Sequence, residues 1–292
     1  MIKTSKKNIC IFIVPYMIIF TLFTVLPVVA SIGLSFTNFN MIQAPEFIGL
    51  ANYIRLFIND DLFFTALQNT LFFALITGPA GYLLCFVFAW FINELPAKLR
   101  AFLTLLFYAP SIAGNTYVIW LLMFSEDAYG YINGFLINMG IISEPILWLT
   151  DVKYMKIVAV IVILWQSLGT SFLAFIAGLQ NVDKTLYEAG MVDGVRNRWQ
   201  ELYFITLPVM RPQLMFGAIM SITGSFGIGG VLTGLFGTPS TDYAAYTIVH
   251  HLEDYGGVRF MMGYASAIAT VLFLLMIGTN KVVQKLLNRI GS

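Results

Sequence analysis

Charge is what these 292 residues have least of: Asp, Glu, Lys and Arg make up 11% of the chain against 59% hydrophobic residues, where a soluble domain carries roughly a quarter charged. That shortage excludes a water-soluble globule. The apolar residues run the whole length of the chain, so a single anchor is excluded as well. Only two cysteines occur, Cys10 and Cys85, both in apolar stretches. They exclude a disulfide scaffold and read as small buried apolar groups. A net charge of +1 leaves no basic field for nucleic acid and no acidic tail. The chain has no Gly-Lys pair, which excludes the phosphate loop G-x-x-x-x-G-K-[ST], so any nucleotide chemistry falls to a partner.

What is present is long uncharged sequence. A helix needs about 20 apolar residues to cross a hydrocarbon core, because each adds only ~1.5 Å. Six windows without Asp, Glu, Lys or Arg meet that length: Asn8 to Pro45, Leu62 to Asn93, Ala101 to Ser125, Ile157 to Val182, Pro212 to Thr241 and Phe260 to Asn280. A seventh, Ala128 to Ser143, is too short and reads as a surface helix or re-entrant piece outside the membrane. The expectation is an all-α, polytopic membrane helix bundle with six transmembrane helices. Lys and Arg are retained on the cytoplasmic face during insertion. One set of alternate loops, with Lys98, Arg100, Lys184, Arg196, Arg198 and Arg211 besides the terminal lysines and Arg289, holds 12 of the 16. Both termini are therefore expected in the cytoplasm, with segments 37–61, 126–156 and 242–259 outside. Lys3, Lys6 and Lys7 before an apolar run look like a signal peptide, but the run is longer than the 7–15 residues of a signal core.

A carrier coupled to ions usually places Asp, Glu, His or Lys in its spans, and none of the six windows has one. A stand-alone carrier or channel is thereby disfavoured, and an external energy source favoured. No nucleophile with a nearby base occurs there either, which argues against an intramembrane enzyme. His250, His251, Glu253 and Asp254 are the best metal-like cluster, but adjacent histidines diverge and no third His or Cys is near. They read as a solvated loop, with no metal and no cofactor.

The most informative segment runs between the fourth and fifth windows. Asp183 can cap a short helix, Thr185-x-x-Glu188 offers a second cap, and Gly194 supplies a stop. Leu186, Ala189, Gly190 and Asp193 fall at i, i+3, i+4 and i+7, a face with very small side chains in its middle that a partner could approach closely. Trp199, Leu202 and Tyr203 form a second apolar stripe before Leu207-Pro208. The result is helix, break and helix.

These residues resemble the EAA loop of the permease subunits of bacterial ATP-binding-cassette (ABC) importers: E-A-A-x-x-x-G, nine residues, then I-x-L-P. Glu188, Ala189, Asp193, Gly194, Ile205, Leu207 and Pro208 match, with Arg211 and Pro212 beyond. Gly190 replaces the second Ala, and ten residues separate Gly194 from Ile205, the extra one expected before Trp199. Ser35-Phe36-Thr37, Phe47-Ile48-Gly49-Leu50 with Asn52-Tyr53, Asn69-Thr70, and Met262-Gly263-Tyr264-Ala265-Ser266-Ala267 look like phrases of the disaccharide and oligosaccharide branch.

The resemblance implies the type I importer permease fold, with an N-terminal helix and external segment at 1–66, a permease domain at 67–285 and the coupling loop at 183–208. It implies a bacterial inner-membrane transporter subunit rather than an enzyme. Its expected partners are a second permease, different in sequence, two ATPases that bind the ATP, and an extracytoplasmic solute-binding protein. Glu188 would pair with a basic residue of the ATPase, with Ala189 and Gly190 permitting close contact. Polyol phosphate or peptide carried by the same machinery is the alternative cargo. Sugars need polar groups for hydroxyls and rings for their apolar faces, so Asn115, Tyr117, Trp120, Gln166, Ser167 and Thr170 are the path candidates. Gln166 leads as a mid-span amide, although hydrogen bonding between helices also suits each of them. Gly224, Gly227, Gly229, Gly230, Gly234 and Gly237 suggest close packing or a break in the fifth window.

Overall fold

The structure, a computed structural model, describes residues 6–287. Lys3 and the side chains of Lys6, Lys7 and Cys10 lie outside what it describes. Helix dominates, and the only ladder among the described residues pairs Thr37 with Phe47 and Asn38 with Glu46, antiparallel. Three unbroken helices are long and apolar enough to cross a membrane: Ile11–Leu34 (span 1), Asp61–Asn93 (span 2) and Met262–Leu287 (span 6). Three bent pairs pass the same test: Ala97–Ile112 with Tyr117–Met123 (span 3), Val152–Gln166 with Thr170–Gln180 (span 4), and Arg198–Val209 with Arg211–Phe226, the latter helix being span 5. Counting each pair once gives six, an all-α polytopic membrane fold.

Hydropathy alone treated windows three to five as continuous, and the structure breaks each of them. Span 3 turns by 90° after Ile112. Pro110 lacks the N–H of a normal helical residue, and Asn115 adopts a left-handed φ of 51°, which Asn tolerates better than most residues. Span 4 bends by 40° at Ser167–Gly169. The carbonyl of Ser167 freed there accepts from Gly169 N at 2.7 Å and from Cys85 Sγ at 3.1 Å, so that group is not stranded in an apolar medium. The fifth window separates into Arg211–Phe226 and Gly229–Phe236, with Gly227 ending the first helix. The short seventh window contains the helix Tyr131–Asn138. Buried Asn133 organises it, donating from Nδ2 to Ser125 O and Ile146 O and accepting from Ile146 N and Trp148 Nε1.

The described residues form two compact units, 6–64 with 250–274, and 65–249 with 275–287. In the first unit, the side chains of span 1 are exposed throughout its apolar window. The short helix Ala51–Ile58 is stapled to the strand region by Asn52, whose Nδ2 donates to Ser35 O at 2.8 Å and Thr37 O at 2.9 Å. Tyr53 and Ser35 share a hydroxyl bond of 2.7 Å. Gly263 N donates to Phe39 O, and a Cβ at Gly263 would collide with Thr37 O. Asp60 is buried against His251 and Tyr264 in the same unit. The expected solvated loop at His250 and His251 is therefore corrected: both side chains are buried, and no metal-competent cluster of three His, Cys, Asp or Glu exists among the described residues.

In the second unit, the main core joins Cys85, Phe86, Ala89 and Ile92 of span 2 to Phe172, Phe175, Ile176 and Leu179 of span 4 and to Leu214 of span 5. Gly217 lies flat against the Phe175 ring, which a Cβ would overlap. Asn69 Nδ2 donates to Tyr243 O and Tyr246 O, both at 2.9 Å, and Thr70 Oγ1 accepts from Ile248 N at 2.9 Å.

Candidate functional site

Two features of the second unit can carry function. The first is an elbow made of the helix Lys184–Val192 and the helical run Arg198–Val209. Asp183 caps the first helix, its carboxylate accepting from Thr185 N at 3.0 Å, and that bond holds the carboxyl below its ordinary range. Gly194 ends it with φ 95°; Val195 N returns to Gly190 O at 2.9 Å and Gly194 N to Met191 O at 3.3 Å, the Schellman pattern. Both ends are where the sequence marks them.

The face that turns inward differs from the expected one. Tyr187 and Gly190 point toward the second helix, where Tyr187 Oη meets Thr206 Oγ1 at 2.9 Å and a Cβ on Gly190 would stand 2.7 Å from Ile205 Cδ1. The bare side of Gly190 is thus filled by this chain's own Ile205 and is closed to a partner. Leu186, Glu188, Ala189, Met191, Val192 and Asp193 remain exposed, Val192 at 88%. The helix therefore presents the Glu188 carboxylate among apolar side chains, with Asp193 at its end. In the second helix, Trp199 and Tyr203 are exposed, whereas Leu202 is buried. Residues Leu202–Thr206 form a π-helical turn, which takes up one more residue than an α-turn. Leu207-Pro208 then resumes the helix.

The second feature is a cavity of about 270 Å³ lined by spans 2, 4 and 5. Gln166, Ser167 and Thr170 reach it, joined by Thr77, Ser171, Ser221 and Ser225. A neighbouring cleft, at the break of span 3, is lined by Asn115, Thr116, Tyr117 and again Gln166. The amide Nε2 of Gln166 donates to Thr116 Oγ1 at 2.7 Å, so the side chain shared by both spaces is held by a hydroxyl at the bend. Neither lining includes a charged residue. The surfaces offer hydroxyls, an amide and apolar walls, which suits an uncharged polyhydroxylic molecule.

Over 91% of its length the chain is 35% identical to the probable ABC transporter permease protein YesP of Bacillus subtilis, 85% of which is covered. This chain belongs to the ABC transporter permeases. It is 30% identical to the arabinooligosaccharides transport system permease protein AraP of Halalkalibacterium halodurans, over 91% of this chain and 83% of that protein. The fold of the permease matches a bacterial alginate ABC transporter solved in complex with alginate pentasaccharide-bound periplasmic protein. The TM-score is 0.78 at 20% identity, covering 97% of this chain and 95% of that one. No family model matches.

Five of the six path candidates line the permease's two spaces, and Trp120 does not. Its ring packs on Trp165 and Phe124 at 5.5 and 5.7 Å, in a core with Val158 and Val162. Reading from sequence missed Thr77, Thr116, Ser171, Ser221 and Ser225, because a lone hydroxyl in an apolar window more often bonds back to its own helix. Thr77 does so as well, donating to Phe73 O at 2.8 Å. The glycines of the fifth window serve distinct ends. Gly224 and Gly227 line the cavity, Gly229 abuts Val249, and Gly234 lies under the Tyr117 ring. The phrases resembling the oligosaccharide branch are fasteners in the permease: Asn52, Asn69, Thr70 and Gly263 bind backbone rather than line either space.

Proposed function

We propose that this permease imports a sugar, a di- or oligosaccharide, handed over by an extracytoplasmic solute-binding protein and driven by two ATPase subunits that dock on the elbow. A second, non-identical permease completes the path, and the ATP is bound by the partners, so the chain needs no cofactor of its own. Both termini and the elbow face the cytoplasm of a bacterial cell, as the distribution of Lys and Arg requires. The observation that carries this reading is the exposed helix Lys184–Val192, backed on a second helix through Gly190 and Tyr187 and showing Glu188 and Ala189 outward. Such a knob transfers a push without deforming. The uncharged lining around Gln166 favours a sugar over a phosphate ester, whose charge would call for Arg or Lys.

The test is transport by the complete complex in proteoliposomes with solute-binding protein added. Glu188→Ala should insert and assemble, yet lose transport and binding-protein-stimulated ATP hydrolysis, since a partly desolvated charge pair loses several kcal/mol when one member is removed. Normal transport and stimulation in that variant would refute the docking role. Uptake at full rate by the permease alone would refute the ATPase.

A further inference from the structure

Nothing so far explains how movement of the elbow would reach span 2, which carries Thr77 and Gly81 at the cavity but is separated from the elbow in sequence by more than 80 residues. Span 2 ends in Trp90-Phe-Ile-Asn93, and Glu94 follows directly. The second elbow helix begins Arg198-Trp199. Arg198 Nη2 donates to Glu94 Oε2 at 2.9 Å and Nη1 to Glu201 Oε2 at 2.9 Å, so one guanidinium bridges the elbow and the end of span 2. One turn back along span 2, the Trp90 ring lies 5.1 Å from that of Trp199. Each residue of the elbow pair thus meets one residue of an i, i+4 pair at the end of span 2. The end of span 2 is itself pinned, since Arg100 Nη1 donates to Asn93 O and Asn93 Oδ1 at 3.3 and 3.2 Å. Glu201 and then Glu94 hold the Arg198 guanidinium charged.

The Arg198 and Glu94 side chains are 65% and 45% exposed. Ion pairs so exposed contribute little to folding. Their geometry nevertheless fixes direction: a two-sided guanidinium fork and a ring contact restrain the elbow against both sliding and rotation on span 2. The first elbow helix is locked to the second through Gly190 and Ile205, so a load on Glu188 passes through the second helix into Glu94 and along a helix unbroken from Asp61 to Asn93.

We propose that Arg198 is a positioning residue for coupling, a latch through which the elbow drags span 2 and reshapes the cavity at Thr77 and Gly81. The inference rests on the reading above that an ATPase drives the elbow. The experiment uses the full complex in proteoliposomes and measures sugar transported per ATP hydrolysed, together with complex yield and melting temperature. Arg198→Gln and Glu94→Gln should each lower the transport-to-hydrolysis ratio about threefold to tenfold, and the double variant should be no worse than either, the signature of one shared interaction. Inverting the whole network with Glu94→Arg, Arg198→Glu and Glu201→Arg should restore the ratio to within about twofold. Yield and melting temperature should stay unchanged throughout, which a merely structural role would not allow if the ratio fell. An unchanged ratio in the single variants, or losses that add in the double, overturns the latch. Wild-type complex that shows no ATP-driven transport would instead overturn the function on which the latch rests.

Discussion

A Cβ placed on Gly190 would stand 2.7 Å from Cδ1 of Ile205, so the two helices of the elbow meet at the one position where the permease departs from the second Ala of the loop pattern. Ile205 Cδ1 is the mobile end of a side chain, and a methyl group is small. Gly190→Ala gains up to about 1 kcal/mol of helix propensity and gives back a similar amount in displacing Ile205. The variant should therefore melt within about 1 kcal/mol of wild type. Gly190→Val is different, since a branched side chain cannot be cleared by rotating one methyl. It should cost about 1–3 kcal/mol and weaken coupling, and adding Ile205→Ala should recover part of the loss. Melting temperatures of the three variants in detergent decide this; an additive double variant would show that the contact is unimportant.

Gly194 carries φ 95° at the end of the same helix. An L side chain there is strained by about 1 kcal/mol, so Gly194→Ala should lower local stability by that amount and let the turn Asp193–Val195 open. Open space surrounds the position, so the loss comes from the backbone and not from crowding. Gly194→Asn should lie between Ala and wild type, because Asn enters the left-handed region more readily. Amide hydrogen exchange at Val195, whose N–H bonds Gly190 O, reports the opening directly.

Gln166 and Thr116 make one bond across the break of span 3, and both border the cleft. Gln166→Leu would remove the amide and leave the Thr116 hydroxyl only its bond to Pro110 O at 3.4 Å, lowering transport about 10-fold or more if the amide touches solute. Thr116→Val alone frees the amide and should cost less. In the double variant the two losses should fail to add, by about 0.5–1.5 kcal/mol for one neutral hydrogen bond. Initial rates of uptake over a range of solute concentration measure it, and equal losses for both single variants would mean the bond only braces the bend.

The six windows and the ends of the elbow helix were legible because each depends on local chemistry: missing charge over about 20 residues, a carboxylate at Asp183, a glycine at Gly194. The breaks in spans 3 and 4 were not legible, whereas the glycines of the fifth window left a break there as one of two readings. Pro79 lies in an unbroken helix while Pro110 precedes a 90° turn, and the difference lies in the Ala113-Gly114-Asn115 stretch that follows and in what packs there. The inward face of the elbow was misread because Gly190 looks like an open site until Ile205, fifteen positions later, is seen to fill it. Trp120 has Phe124 one turn on as a local partner, but only folding brings Trp165 to it. Asp60 and His251, 191 residues apart, gave no local sign of each other.

That last pair makes stability depend on pH. Asp60 Oδ2 accepts from Tyr264 Oη at 2.6 Å and from His251 Nε2 at 3.0 Å, and Oδ1 accepts from Phe63 N at 2.9 Å. A carboxylate only accepts, so the Nε2 of His251 carries the proton. Burial works to raise the Asp60 pKa, but the bonds from Tyr264 and Phe63, with His251 beside it, outweigh burial and hold it below the ordinary value. For His251 burial dominates over the attraction of Asp60 and Asp254, with Arg259 adding to the lowering, so its pKa lies below the ordinary value. A lowered folded pKa means the folded state binds fewer protons than the unfolded chain. The His251 contribution is therefore complete above the unfolded value of ~6.5 and is lost as pH falls from there through the lowered folded value; that of Asp60 is complete above about 4 and is lost in the same way below it. The melting temperature of purified permease should decline between pH 7 and pH 5, and His251→Gln, which can donate but not titrate, should flatten that decline. Asp60→Asn should cost about 1–3 kcal/mol at pH 7.5, where every member of the network is satisfied in the wild type. A melting temperature that falls equally with pH in wild type and His251→Gln would place the sensitivity elsewhere.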